Sequence, residues 1–265
     1  MRNKLTTAKR IVIKVGTSTL MYPNGKINLQ GIDQLAFVLS DLVNQGKEVI
    51  FVSSGAIGVG LTKLAWKERP NSIPEQQAVA AIGQSELMAL YTQRFDTYNQ
   101  PIGQVLLTRD VVDFPESRQN VINTLEQLLA MNVIPIINEN DSVSVDELDH
   151  QTKFGDNDLL SAIVSQLTEA DLLIMLSDID GFYSDNPLTN PQAQLYSHVS
   201  EITQSLLEQA GGAGSKFGTG GMQSKLNAAT RVLARDGQMI LANGQEPKLI
   251  FDILQGQEIG TLFSK

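Results

Sequence analysis

Cysteine is absent from the 265 residues, and that one absence removes disulfides, thiolate zinc sites and cysteine nucleophiles together. Histidine is nearly absent: His150 and His198 are the two, and neither has metal-ligand spacing around it. Charged residues make up 18%, below the ~25% of an average soluble domain, while hydrophobic residues reach 42%. Such a chain can bury a sizeable core, and a highly charged disordered chain is excluded. Long apolar runs are missing too, since nothing approaches the ~18 residues of a membrane helix. The N-terminus is basic and then apolar, the outline of a signal peptide. Its apolar stretch, Ile11 to Val15, is too short for that role and is broken by Lys14. The expectation is a soluble protein in a reducing, cytoplasmic setting.

What the chain has in excess is negative charge. Twenty-nine Asp and Glu oppose 20 Lys and Arg, a formal net charge of −9. That disfavours nucleic acid and anionic membranes as partners, because both respond to extended basic patches. Small anions should also be repelled on average.

Short β-branched runs alternate with helical patterns. The runs predict strands at Arg10–Val15, Glu48–Ser53, Ile102–Leu107, Val133–Ile137, Leu172–Leu176 and Gln238–Leu241. Between them, Leu35, Val38, Leu39 and Leu42 recur at helical spacing, as do Leu125, Leu128 and Leu129, and Leu159, Leu160, Ile163, Val164 and Leu167. Near-continuous apolar strands separated by helices predict an α/β fold with a mostly parallel sheet covered on both faces. Ligands in such sheets sit beyond the carboxyl ends of the strands. A weak lobe boundary is expected near residue 170, with both lobes on one continuous sheet. Residues 138–158 form a long acidic stretch, and residues 211–221 hold six of the 21 glycines.

Four places carry chemistry. Lys14 lies inside Ile11-Val12-Ile13-Lys14-Val15 and precedes the turn Gly16-Thr17-Ser18. An isolated lysine there could snorkel to water, but open amides beside a positive charge suit a phosphate. Val52-Ser53-Ser54-Gly55 reads as a strand-to-helix turn, either an anion-binding helix start or an ordinary serine N-cap. It lacks the G-x-G-x-x-G dinucleotide spacing. The third place is Asn138-Glu139-Asn140-Asp141 at a strand end, followed downstream by Phe154-Gly155-Asp156-Asn157-Asp158 opening a helix. Asp156 or Asn157 would cap that helix, and Asp156 and Asp158, two apart, cannot both do so. At least one carboxylate is left for another role, such as pairing with a lysine. The fourth is Gly218-Thr219-Gly220-Gly221-Met222-Gln223-Ser224-Lys225, a glycine-rich loop entering a helix with a lysine in its first turns. It is not a Walker A loop, yet a purely structural loop has no need of a lysine that opposes the helix dipole. Asp178-Ile179-Asp180-Gly181 lacks the remaining positions of an EF-hand and reads as a turn, with Ser177 and Asp178 facing a ligand. Trp66 is read as a packing residue.

Together these pieces resemble the amino acid kinase family. The match includes Val12 to Ser18, Ser53 to Ile57, Gly103 to Thr108, Asn138 to Asp141, Gly155 to Asp158, Ser177-Asp178 with Gly181-Phe182-Tyr183, Gly218 to Met222 with Lys225, and Gly260 to Phe263. It spans essentially the whole chain in order and is closest to the branch that phosphorylates free glutamate. The resemblance implies a three-layer αβα fold with a mostly parallel central sheet sandwiched by helices. Residues 1–265 would be one amino acid kinase domain, with glutamate held by about 1–170 and ATP by about 171–265. The implied reaction is ATP-dependent phosphorylation of the γ-carboxylate of L-glutamate, the first step of proline biosynthesis, with Mg²⁺ and feedback inhibition by proline. A homodimer or homotetramer is implied, as is association with glutamate-5-semialdehyde dehydrogenase.

Residue by residue, the resemblance gives Lys14 and Lys225 to the phosphates and Asp158 to the organisation of both lysines. Ser54, Asn138, Asp141 and Asn157 would bind the acceptor. Ser177, Asp178, Thr219, Gly220, Gly221, Met222, Gln223, Ser224 and Lys225 would bind ATP, and the amides of Gly16, Gly55 and Gly218 would contact phosphate. Serine stands at Ser177 and Ser224 where threonine is more usual, which keeps the hydroxyl. The PUA domain of many bacterial members has no counterpart in these residues, so a short form is expected. Acetylglutamate kinase and uridylate kinase are neighbouring alternatives. Asp141 argues for a free α-ammonium, which an acetylated substrate lacks. A catalytically silent ligand sensor is opposed by the intact Lys14, Asp158 and Lys225.

Overall fold

The computed structural model describes residues 2–108, 113–143, 157–210 and 221–265. A short 3-10 helix at Arg2–Thr7 leads into β1 (Arg10–Val15). β2 (Glu48–Val52), β3 (Ile102–Leu107), β4 (Ile134–Glu139), β5 (Leu172–Ser177), β6 (His198–Val199), β7 (Gln238–Asn243) and β8 (Thr261–Phe263) follow. Among the described residues they form one eight-stranded sheet in the order β3-β4-β2-β1-β5-β7-β8-β6. Every pairing is parallel except β7 with β8. The all-apolar stretches of β1, β2, β4 and β5 are buried because helices cover both faces, as parallel sheets require.

On one face lie α1 (Thr17–Leu20), α2 (Leu29–Asn44), α3 (Ala56–Lys63), α4 (Ile73–Asp96) and α9 (Leu249–Leu254). On the other lie α5 (Pro115–Ala130), α6 (Asn157–Leu167), α7 (Gln204–Ala210) and α8 (Met222–Leu233). The result is a three-layer αβα sandwich with two cores, one on each side of the sheet. Strand alternation divides β1 between them. Ile11, Ile13 and Val15 pack with Leu35, Leu39 and Tyr91 in the first core. Val12 packs with Val164 and Leu226 in the second. Lys14 shares the parity of Val12, so its side chain leaves the strand on the α6 and α8 face.

The six expected strands are present, with β4 running two residues further, to Glu139. β6 and β8, of two and three residues, were too short to leave a period in the sequence. α4, at 24 residues, is the longest helix described, and spans ~36 Å at 1.5 Å per residue. Ser72 caps it, accepting from the Glu75 amide at 3.4 Å, with Pro74 in the first turn. α3 and α4 touch backbone to backbone: a Cβ on Gly83 would lie 1.7 Å from the Ala56 carbonyl oxygen, and one on Gly60 would lie 2.1 Å from that of Val79. Trp66 does not pack in either core. It is 47% exposed and lines a surface cavity of about 1450 Å³ with Tyr22 and Lys67.

Candidate active site

The site residues gather beyond the carboxyl ends of the central strands. Lys14 is the fifth residue of β1, level with Val52 of β2 and Met175 of β5. Ser54 follows β2, Asn138 belongs to β4, Asp141 lies two residues beyond it, and Ser177 ends β5. Two helix starts close the site from above the second core. Asn157 and Asp158 open α6, and Lys225 sits in the first turn of α8. A carboxylate in the first turn of a helix is favoured by the positive end of the dipole.

Asp158 is fully buried and holds two lysines at once. Lys14 Nζ donates to Asp158 Oδ1, and Lys225 Nζ donates to Asp158 Oδ2 at 3.0 Å. Lys14 and Lys225 are themselves buried. Burial alone would push the Asp158 carboxyl up. The charges of Lys14 and Lys225, and the hydrogen bonds they give, outweigh it and hold the group below the ordinary carboxylate range. Two ammoniums thus converge on one buried carboxylate, inside a protein whose net charge is −9.

A second network is made of amides. Asn157 Nδ2 donates to Ser54 Oγ at 3.0 Å and to Asn138 Oδ1 at 3.3 Å. Asn138 Oδ1 also accepts from the Glu139 amide, and Asn138 Nδ2 donates to Gln84 Oε1 at 2.8 Å. Asn157 Oδ1, Asp141 Oδ1 and Gln84 Nε2 are buried with no partner among the described residues. Three orphaned polar atoms in one neighbourhood are unusual, since buried polar groups are nearly always paired. Ser54 is not a helix cap: Gly55 takes that position for α3 at φ 86°, a left-handed conformation suited to glycine. The serine hydroxyl is turned to Asn157 instead. Its neighbour Ser53 shares a hydrogen bond of 2.8 Å with the Tyr91 hydroxyl, and burial pushes that phenol well above its usual range.

On the other side of β1, Ser177 Oγ donates to Asp178 Oδ1 at 3.0 Å, and the Gly244 amide donates to the Ser177 carbonyl at 2.7 Å. Gly16 lies beside Lys14, and its amide donates to the Leu176 carbonyl at 3.3 Å. Gly221 stands at the N-cap of α8 without a side-chain bond, and Met222, Gln223 and Ser224 form the first turn. Gly155, Asp156, Gly218, Thr219 and Gly220 lie outside the described residues. The motifs did not single out Gln84 and Tyr91. Their helix announces itself only through Ser72-Ile73-Pro74-Glu75, a capping-box pattern.

Two lysines bridged by a buried carboxylate, at the mouth of a parallel sheet, suit a transferring phosphoryl group. The amino acid kinase family model matches residues 9–243. The chain belongs to the amino acid kinase family. It is 69% identical over 265 residues to the glutamate 5-kinase of Enterococcus faecalis, covering 100% of this chain and 98% of that protein. It is 64% identical over 264 residues to the glutamate 5-kinase of Listeria monocytogenes, covering 100% and 96%. The glutamate 5-kinase of Lactiplantibacillus plantarum is 62% identical over 256 residues, covering 97% of each chain. Among solved amino acid kinase folds, an isopentenyl phosphate kinase of T. acidophilum superposes with a TM-score of 0.65 at 16% identity, covering 96% of this chain and 100% of that one. The UMP kinase of Bacillus anthracis gives 0.61 at 17% identity, covering 97% and 96%. At such low identity these two structures speak for the fold alone.

Proposed function

We propose that this chain is a glutamate 5-kinase, transferring the γ-phosphoryl group of ATP to the γ-carboxylate of L-glutamate to give γ-glutamyl phosphate and ADP. The observation that carries the reading is the Asp158 carboxylate shared by Lys14 and Lys225, in a chain 62–69% identical to proteins of that name. Residues 1–170 supply the glutamate side and residues 171–265 the ATP side. Lys14 and Lys225 contact the transferring phosphates, and Asp158 fixes their positions. Ser54, Asn138, Asp141 and Asn157 hold glutamate. Ser177, Asp178 and the loop from Thr219 to Lys225 hold ATP.

The chemistry needs alignment and charge neutralisation more than covalent help. A glutamate γ-carboxylate, with an ordinary pKa of ~4.3, is already ionised at neutral pH. No general base is required to make the nucleophile. The obstacle is bringing one anion to another, and two preorganised ammoniums lower it most where charge builds on the transferring oxygens. Asp158, held ionised by the two lysines, keeps its grip on both of them. Among the described residues no cluster of three or more acids or histidines could hold a metal. Mg²⁺ would arrive with the nucleotide phosphates and neutralise their charge.

The product is an acyl phosphate, and hydroxylamine traps it as a hydroxamate. ATP-dependent hydroxamate from glutamate and none from N-acetylglutamate is the expected result. Product from N-acetylglutamate alone would overturn the reading in favour of an acetylglutamate kinase. ATP binding with no glutamate-dependent ADP release would favour a silent sensor. The same assay with added proline tests feedback inhibition, which belongs to the proposal together with a place at the first step of proline biosynthesis. A homo-oligomer, and association with glutamate-5-semialdehyde dehydrogenase, complete it.

A further inference from the structure

Gln84 lies outside every motif, yet it ends the amide network of the site. The residue is 9% exposed, its Oε1 accepts from Asn138 at 2.8 Å, and its Nε2 has no partner among the described residues. Leaving a buried donor unpaired costs more than a hydrogen bond returns, so such a group is expected to meet a ligand. We infer that Gln84 is a specificity-determining residue of the acceptor pocket, its Nε2 donating to the α-carboxylate of the amino acid substrate. The inference rests on the glutamate reading and adds to it the group that reads the amino acid end.

Sheet order decides which carboxylate it reads. Transfer takes place where Lys14 leaves β1. Gln84 is anchored to Asn138 on β4, and β2 lies between β4 and β1. Neighbouring strands are ~4.8 Å apart, which puts the β4 end ~10 Å from the β1 end. The γ-carboxylate must reach toward β1, so the far end of the same molecule turns toward β4. The orphaned atoms there match an amino acid in kind. Gln84 Nε2 is a donor for a carboxylate, while Asp141 Oδ1 and Asn157 Oδ1 are acceptors for an ammonium.

α4 is built to hold that donor still. Gly83 packs against the Ala56 carbonyl with no room for a side chain, which fixes the helix beside the Ser54-Gly55 turn. Tyr91, two turns on and on the same helix face, is tied to Ser53.

The test replaces Gln84 in the full-length chain. Gln84→Met removes the donor at similar volume. Gln84→Glu keeps an acceptor for Asn138 and sets a negative charge where the α-carboxylate would lie. A hydrogen bond to a charged group is worth ~10–100-fold in affinity, so the glutamate KM should rise by at least tenfold in Gln84→Met and further in Gln84→Glu. The ATP KM should stay within about twofold. 4-Aminobutyrate, which keeps the ammonium and the reacting carboxylate but lacks the α-carboxylate, serves as a competitor, and its inhibition constant should move by less than about twofold in Gln84→Met. An unchanged glutamate KM in both variants overturns the inference. So does a loss of 4-aminobutyrate binding in step with glutamate, which would make Gln84 a structural support. If Gln84→Met does not fold, Gln84→Glu decides through glutamate and ATP KM alone. A wild-type chain giving no hydroxamate from glutamate would instead sink the function reading, before any variant is compared.

Discussion

At the scale of single residues, Lys14 and Asp158 carry the most weight. A lysine inside an apolar strand stood out in the sequence because an ammonium there needs a reason. What the sequence did not contain was the distance: Asp158 lies 144 positions away, and only the packing of α6 on β1 brings it there. Lys14→Ala and Lys225→Ala should each lower turnover by more than about tenfold, since each removes a preorganised cation. Steady-state kinetics at saturating ATP and glutamate measure this, and wild-type turnover in both variants would refute the role. Asp141→Ala should act chiefly on the glutamate KM. The ion triad also has a pH signature. The folded-state pKa of Asp158 lies below its ordinary value of 3.8, so its contribution to stability is present above that value and is lost as pH falls through the depressed pKa. Asp158→Asn should therefore flatten the acid side of the stability curve below about pH 4, measured by thermal unfolding from pH 3 to 7. Gln84 was not legible. An amide inside a helix has no mark in one sequence; its orphaned Nε2 exists only in the fold.

At the scale of elements, the six longer strands and several helices could be read from apolar runs and helical periods. β6 and β8 could not, because two or three residues carry no period. α4 escaped for another reason. Its buried positions include Gln76, Gly83, Gln84 and Tyr91, which break the apolar stripe a reader looks for. Those exceptions are what bring the helix to the site. Gly83→Ala should force α3 and α4 apart and destabilise the fold by ~1–3 kcal/mol, the usual cost of overpacking. A lower urea midpoint with an unchanged slope would show it. Full stability in Gly83→Ala would mean the crossing is looser than the 1.7 Å approach indicates.

For the molecule as a whole, the charge of −9 sets the average field and not the local one. Lys14 and Lys225 share one carboxylate in a water-poor pocket, where their charge is felt far more strongly than surface carboxylates screened by salt. At the opposite end of the sheet, Arg10 ties the layers together. Its guanidinium donates to Glu48 of β2, Glu126 of α5 and the Thr168 carbonyl just beyond α6. Arg10→Ala should cost ~1–3 kcal/mol, the range for losing hydrogen bonds to charged groups, read from denaturant unfolding with turnover per folded molecule preserved.

The strand order has a consequence in time as well as in space. β8 is inserted between β7 and β6, with Thr261 fully buried and accepting from the Phe182 amide. Residues 261–263 follow, in the chain, every strand they join. A ribosome delivers Lys14, Lys225 and strands β1 to β7 before the piece that covers the edge of β7. Until then β7 ends the sheet with an unpaired edge, the kind of surface that recruits other chains. The nascent chain is therefore open to misassembly along β7 until residues 261–263 have emerged. Release before Thr261 should yield aggregates, not a weakened kinase.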